Sequence, residues 1–231
     1  MTYETTITQQ KAARIAGTTY VLIIASSICA MFVGPFKLIV PNDIVATVAN
    51  ISSNQLLFRS GALYDLIMYA GVVVLSAALY VTLKPINPGL ALTAMLWRIG
   101  EAVFGCLGVL AHFTILLLVG NGDYISHFDM TQRQALIGLI LDVKDAVIPM
   151  VFMFLSLGSI VYCFLFLKAQ YIPRWIAVFG IVAFTIALSG TFANIIFSTV
   201  PVMAFGAPAI LFELTIGLWL WLKGINIERD K

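Results

Sequence analysis

Charged residues are scarce in this sequence. Only 10% of its 231 residues are Asp, Glu, Lys or Arg, whereas 61% are hydrophobic. In a soluble domain about a quarter of the residues are charged, so the composition excludes a soluble protein and predicts one embedded in the lipid bilayer. The net charge of +2 and the scattered basic residues also exclude a nucleic-acid-binding surface.

Cysteine and histidine are equally sparse, and the common catalytic signatures are missing. The three cysteines, Cys29, Cys106 and Cys163, lie in apolar runs without CxxC spacing, which argues against a disulfide framework. HExxH, GxSxG, Walker A and GxGxxG motifs are lacking. His112 is interpreted as an interfacial histidine, with a ligand or proton carrier as the alternative. We therefore predict no metal site and no cofactor.

Long apolar runs are what the chain has instead. A spanning helix needs about 20 mostly apolar residues, and six runs meet that requirement. We therefore predict an all-α fold, a polytopic transmembrane helix bundle forming one domain over residues 1–231. The six predicted spanning helices are roughly 15–36, 61–83, 90–118, 146–167, 175–197 and 202–222.

The basic residues predict how the chain crosses the membrane. Loops on the cytoplasmic side carry an excess of Lys and Arg, and the alternate connections here differ strongly. One side has Lys11, Arg14, Lys84, Lys168, Arg174, Lys223, Arg229 and Lys231. The other side has Lys37, Arg59 and Arg133. Both termini are therefore predicted to be cytoplasmic.

Two long connections, 37–60 and 120–131, are predicted to lie outside. In the first, Asn42 and Asp43 precede an apolar stretch that ends near Asn50, which predicts a short helix lying against the bundle or the interface. In the second, Thr131 is followed three residues later by Gln134, a pattern typical of a capping box. The fourth long helix is therefore expected to begin well outside the membrane.

Glu213 lies alone in the last apolar run, with no other charge between Thr199 and Leu222. An acid at that depth costs several kcal/mol unless it is protonated, paired or facing a polar cavity. Arg98 and Glu101 in the third span are three residues apart, share a helix face and can pair. The depth of this pair depends on which part of a long apolar run crosses the membrane. We place both residues inside the bundle; the alternative is that the Arg98 side chain reaches the cytoplasmic interface.

Further polar residues are predicted near the outer side. Asp65 is followed four residues later by Tyr69 on the same face of the second span. Asp145 precedes Pro149 by one turn, so its carbonyl lacks the usual helical donor. We interpret Asp142 and Lys144 as a solvated helix end, with Lys144 pointing away from Asp142 and Asp145. Asn194, near the outer end of the fifth span, is predicted to lie at about the same depth as Asp65 and Asp145.

The charge balance of these segments indicates a function. Five acids within or beside the spans face only two basic residues, so the excess must be protonated, solvated or matched by a cation. We expect an acid-rich pocket that opens to the outer side. The five acids are Asp65, Glu101, Asp142, Asp145 and Glu213, and the two basic residues are Arg98 and Lys144.

Several segments together resemble a known family. They are KAARIAGTTYVLIIA (11–25), VPNDIVATVANISSNQLLFRSGALYDLI (40–67), LYVTLKPINPGLAL followed by WRIGEA (79–102), YIPRWIAVFG (171–180) and FELTIGLWLWLKG (212–224). In order and spacing they resemble a prokaryotic six-helix membrane family known only as a domain of unknown function. The resemblance implies a multi-pass protein of the prokaryotic cytoplasmic membrane. It also implies recurrent polar positions at Arg59, Asp65, Arg98, Glu101 and Glu213.

Three functions are compatible with these observations. The first is a ligand-binding or transport-like bundle in which Glu213, with Asp65 and Asp145, binds a proton or small cation; six helices are few for a transporter, so a homodimer is expected. The second is an intramembrane enzyme acting on a lipid-like substrate with a buried carboxylate as general acid or base. The third is a structural or regulatory subunit that binds a partner membrane protein.

Overall fold

The computed structural model describes residues 3–33, 37–120, 122–197 and 199–227, and these residues are almost entirely helical. A short 3₁₀ helix, Asp123–His127, precedes the fifth α-helix. The α-helices are α1 Tyr3–Val33, α2 Ile44–Ser53, α3 Gln55–Leu83, α4 Pro88–Val119, α5 Met130–Ala169, α6 Arg174–Ile196 and α7 Val202–Leu222.

Six of these helices are long and apolar enough to cross a membrane, and α2 is the short exception. The predicted all-α bundle with six spanning helices is therefore confirmed, and the chain is an integral membrane protein. The cytoplasmic location of both termini stays a prediction, and Arg229 and Lys231, on which it partly rests, lie outside the described residues.

Helix α1 begins earlier than the apolar run because polar residues of its first turns are used for packing. Its first apolar residues were expected near residue 15, whereas the helix starts at Tyr3. The Gln9 amide donates to the carbonyl oxygen of Thr82 at 2.9 Å and to the Tyr171 hydroxyl at 3.1 Å. Gln10 accepts a hydrogen bond from the backbone of Ile225 at 3.1 Å. These bonds fix a polar helical extension that hydropathy alone does not reveal.

The chain forms two compact units. The first contains Met1–Ile24, Ala70–Ala102 and Pro149–Lys231, and the second contains Ala25–Tyr69 and Val103–Ile148. Both take part of α1, α3, α4 and α5, because the unit boundaries fall within these helices. Each unit has its own packed interior.

In the first unit, small residues let α6 approach its neighbours closely. Gly180 faces the Cys163 sulfur and the Phe212 ring, and a Cβ added there would lie 2.5 Å from each. The Phe212 ring also meets Phe179 and Phe184 edge-on, with centroids 6.1 and 5.5 Å apart. Small residues and interlocking rings pack membrane helices through van der Waals contact.

In the second unit, α2 lies against an apolar core. Asp43 caps α2, its carboxylate accepting from the backbone of Ala46 at 2.9 Å, which confirms the short helix predicted after Asn42 and Asp43. The helix buries Val48 and Ile51. The core consists of Leu38, Val48, Ile51, Phe58, Ile115, Leu116 and Ile137.

The predicted capping box of the fourth long helix was wrong in its residues. Helix α5 starts at Met130, so Thr131 is already within its first turn. The reciprocal bonds instead join Asp129 and Gln132: the Asp129 carboxylate accepts from the Gln132 backbone at 2.8 Å, and the Gln132 side chain accepts from the Asp129 backbone at 3.0 Å. Aspartate replaces the Ser or Thr of the usual pattern because its carboxylate reaches the same backbone donors.

Asp129→Ala is expected to destabilise the first turn of α5 by about 1 kcal/mol, since the backbone N–H of Gln132 loses its partner. Amide hydrogen exchange of the detergent-purified protein checks this, with faster exchange confined to the start of α5. Thr131→Ala is the matched control and should leave that exchange unchanged. Equal effects of the two substitutions would contradict the assigned capping box.

Candidate functional site

Three charged side chains of the first unit meet inside it. Arg98 Nη1 lies 3.0 Å from Glu101 Oε2, and Arg98 Nη2 lies 3.5 Å from Glu213 Oε1. Nη1 also donates to the Ser159 hydroxyl at 3.3 Å. We call Arg98, Glu101 and Glu213 the arginine–carboxylate cluster. It links α4 to the middle of α7, and through Ser159 to α5.

Local sequence explains how Arg98 reaches this position. Residues three apart on a helix lie on one face, so Arg98 and Glu101 are neighbours on α4 before any tertiary packing. Gly158 of α5 then leaves space for the arginine stem: a Cβ there would lie 2.9 Å from Arg98 Cγ and 3.0 Å from the carbonyl oxygen of Ala94. The long side chain therefore lies along α5 rather than extending to the surface.

The cluster is buried and its charges are unequal. The exposed fractions of the side chains are 2% for Arg98, 7% for Glu101 and 14% for Glu213. One guanidinium faces two carboxyl groups, so two ionised acids would leave one negative charge in excess. Arg98 Nε, Glu101 Oε2 and Glu213 Oε1 are buried atoms without an aligned hydrogen-bond partner among the described residues. The second carboxyl group is what distinguishes this cluster from a simple ion pair.

A second polar cluster lies in the other unit. His112 Nδ1 lies 3.6 Å from Asp65 Oδ2, and His112 Nε2 lies 3.1 Å from Lys144 Nζ. The imidazole is 1% exposed and meets the Phe58 ring edge-on at 5.0 Å. We call Asp65, His112 and Lys144 the histidine-bridged cluster. It joins α3, α4 and α5.

The contact between Lys144 and His112 was not predicted from the sequence. Lys144 was expected to lie at a solvated helix end and to point away from Asp142 and Asp145, and it contacts His112. His112 was interpreted as an interfacial histidine, but its side chain is almost fully buried. The neighbouring Asp142 and Asp145 are exposed. Of these three charged residues of α5, Lys144 is thus the least exposed. Which face of α5 packs against the neighbouring helices does not follow from the sequence of α5 alone.

The remaining candidates have other contacts. The Asn194 amide donates to the carbonyl oxygen of Val200 at 2.7 Å and so closes the connection between α6 and α7. The Tyr69 ring packs over Gly105, where a Cβ would overlap it. Arg59 is exposed.

Two further observations concern ligand sites. Among the described residues, no group of three or more His, Cys, Asp or Glu side chains is placed to hold a metal ion. A cavity of about 320 Å³ lies between the α5–α6 turn and the end of α7, away from the candidate residues named above. It is lined by Gln170, Tyr171, Ile172, Pro173, Trp219, Lys223, Gly224, Ile225 and Asn226.

Comparison with known proteins gives a family but no activity. A family model described as Domain of unknown function (DUF4386) matches residues 15–224, which is most of the chain. No curated protein and no solved structure matches the sequence.

Proposed function

Because the chain belongs to the family described as Domain of unknown function (DUF4386), whose description names no activity, we propose a function from its own residues: the arginine–carboxylate cluster binds a proton or a small cation within the membrane. We place the protein in the cytoplasmic membrane of a prokaryote, with both termini inside and the site reached from the outer side. For a transport role we expect a homodimer, because six helices are few for a transporter.

The excess of carboxyl groups carries this proposal. A charged side chain in the membrane interior costs several kcal/mol unless it is paired, and Arg98 can neutralise only one of Glu101 and Glu213 at a time. The second carboxyl group therefore needs a proton or an added cation. Glu101 Oε2 and Glu213 Oε1 both lie within ion-pair distance of the guanidinium, and neither has an aligned hydrogen-bond donor among the described residues. A bound proton or cation would end the competition of the two carboxyl groups for Arg98.

A structural role is the second candidate, because the same contacts fasten three helices. Arg98 on α4 reaches Glu213 on α7 and Ser159 on α5. In that case Glu213 is simply the anchor on α7. Removing its charge would then lower stability by less than about 1 kcal/mol, the usual value of an interhelical polar contact in membranes, and would alter no response to ligands.

Glu213→Gln separates the two functions. Thermal unfolding of the detergent-purified protein is measured in neutral and mildly acidic buffer, and in neutral buffer with sodium or tetramethylammonium. We expect acid or one of the cations to raise the wild-type Tm by about 4 °C or more, equivalent to about 1–2 kcal/mol at this chain length. We expect Glu213→Gln to lose that rise, because the variant holds one carboxyl group for one guanidinium.

Asp142→Asn is the matched control, since Asp142 is an exposed acid and the variant should keep the wild-type response. A response to acid alone identifies a proton, and a response to sodium or tetramethylammonium identifies a cation. Flat, identical profiles of wild type and Glu213→Gln would reject the binding function and favour the structural one.

A further inference from the structure

The histidine-bridged cluster is independent of the proposed cation site and uses different residues. It places one acid, one imidazole and one amine in series: Asp65 on α3, His112 on α4 and Lys144 on α5. The imidazole in the middle is 1% exposed, whereas the Asp65 side chain is 27% exposed. Lys144 is partly exposed. Asp65 and Lys144 are therefore partly accessible, whereas His112 between them is buried.

The hydrogen bonds determine where the imidazole proton lies. A lysine ammonium offers only donors, so His112 Nε2, at 3.1 Å from Lys144 Nζ, must accept. The single ring proton of a neutral imidazole is then on Nδ1, the nitrogen that faces Asp65. The resting state is consequently a neutral histidine between an ammonium and a carboxylate, with no net charge.

One gap interrupts this series. His112 Nδ1 is buried without a hydrogen-bond partner among the residues that the structure describes, and Asp65 Oδ2 is 3.6 Å away. A hydrogen bond to a carboxylate requires about 2.8 Å, and rotation of the short, partly exposed Asp65 side chain is the simplest way to shorten the separation. Asp65 is therefore the movable end that completes the connection.

We propose that His112 transfers a proton between Lys144 and Asp65. The Lys144 ammonium gives a proton to Nε2 while Nδ1 gives its own proton to the Asp65 carboxylate. The ammonium becomes an amine, the carboxylate becomes a carboxylic acid, and the imidazole stays neutral with its proton moved from Nδ1 to Nε2. Atoms and charge balance without any other reactant, and the proton-accepting site opens where Asp65 is exposed.

The surroundings favour such an exchange. Moving an ion pair into a low-dielectric interior carries a desolvation cost that its mutual attraction often fails to repay, so the uncharged arrangement competes with the charged one. The other charged groups on these helices within the unit do not replace the partners of His112. Arg59, Asp142 and Asp145 are exposed, and Arg133 donates to the carbonyl oxygens of Phe128 and Ile125.

The two histidines of the chain make the proton position measurable. In protein labelled with ¹⁵N-histidine, His127→Gln leaves His112 as the only signal. Exchange between Lys144 and Asp65 predicts that the Nδ1 and Nε2 shifts lie between those of the two neutral tautomers. In Asp65→Asn the acceptor is gone, so we expect a single tautomer protonated at Nδ1. Asp142→Asn, which alters an exposed acid, should give the same intermediate shifts as the His127→Gln background.

The spectrum of the His127→Gln background decides the question even if Asp65→Asn fails to fold. A single Nδ1-protonated tautomer in that background would show a static bridge and overturn the proposal. An imidazolium spectrum would overturn it too, because it would mean that Lys144 does not donate to Nε2. Intermediate shifts that persist unchanged in a folded Asp65→Asn variant would exclude Asp65 as the acceptor and likewise overturn it.

Discussion

Arg98→Met is expected to destabilise the protein by about 3–5 kcal/mol, the cost of removing one partner from a buried ion pair. Glu101 and Glu213 would keep their buried positions but lose the cation that they share, which is Arg98 in the part of the chain that the structure describes. Methionine retains most of the aliphatic stem that lies along Gly158, so lost packing contributes little. The measurement is thermal unfolding of the detergent-purified variant at neutral pH.

A compensating variant tests the cause of that loss. In Arg98→Met combined with Glu101→Gln and Glu213→Gln, the cluster carries no charge, and we expect most of the lost stability to return. Arg59→Met, at an exposed arginine of α3, is the control and should stay within about 0.5 kcal/mol of wild type. A triple variant no more stable than Arg98→Met would mean that the arginine acts through its packing and not through its charge.

The sequence predicted the members of this cluster but not their full connection. Arg98, Glu101 and Glu213 stand out because each is a charge in an apolar run, and the pairing of Arg98 with Glu101 follows from their spacing. The contact between Arg98 and Glu213 does not follow from spacing, since it depends on which faces of α4 and α7 meet. The role of Gly158 in admitting the arginine stem is also visible only in the structure.

The histidine-bridged cluster was missed although α4 carries a relevant pattern. Arg98, Glu101, Gly105, Gly108 and His112 follow one another at intervals of three, four, three and four residues. On a helix such positions form one stripe, so His112 belongs to the face that holds the buried ion pair. Small and polar residues along one stripe of a membrane helix indicate a face that packs against other helices. On that interpretation His112 would have been predicted to be buried. Its partners would still have required the structure.

Helix number was easier to predict than helix ends. The length of an apolar run is set by the thickness of the membrane, so run length alone predicted the six spanning helices. The ends of α1 and α5 extend beyond the apolar runs, because polar side chains such as Gln9, Asp129 and Gln132 satisfy backbone and side-chain groups there. Those bonds depend on local geometry, so the sequence offered the right type of cap for α5 but at the wrong residues.

Gly17→Ala is expected to disrupt the packing of α1 on α7. The two backbones touch at this glycine: an added Cβ would overlap the Trp221 nitrogen and lie 2.7 Å from the Leu220 carbonyl carbon and 2.8 Å from the Gly217 carbonyl oxygen. Backbone atoms cannot rotate away as side-chain ends do, so the helices must separate. Forcing extra atoms into a packed interior costs about 1–3 kcal/mol or more, and we expect the upper part of that range.

The opposing face explains why this contact cannot adapt. Gly217 of α7 is itself in contact with α1, and a Cβ there would lie 2.7 Å from Tyr20 Cβ. Small residues on both helices are what permits close approach in a membrane. Gly89→Ala is the control, because among the described residues its Cβ would meet the Asn87 side-chain oxygen alone, at an ordinary contact distance of 3.5 Å. A Tm of Gly17→Ala equal to that of Gly89→Ala would contradict the backbone contact between α1 and α7.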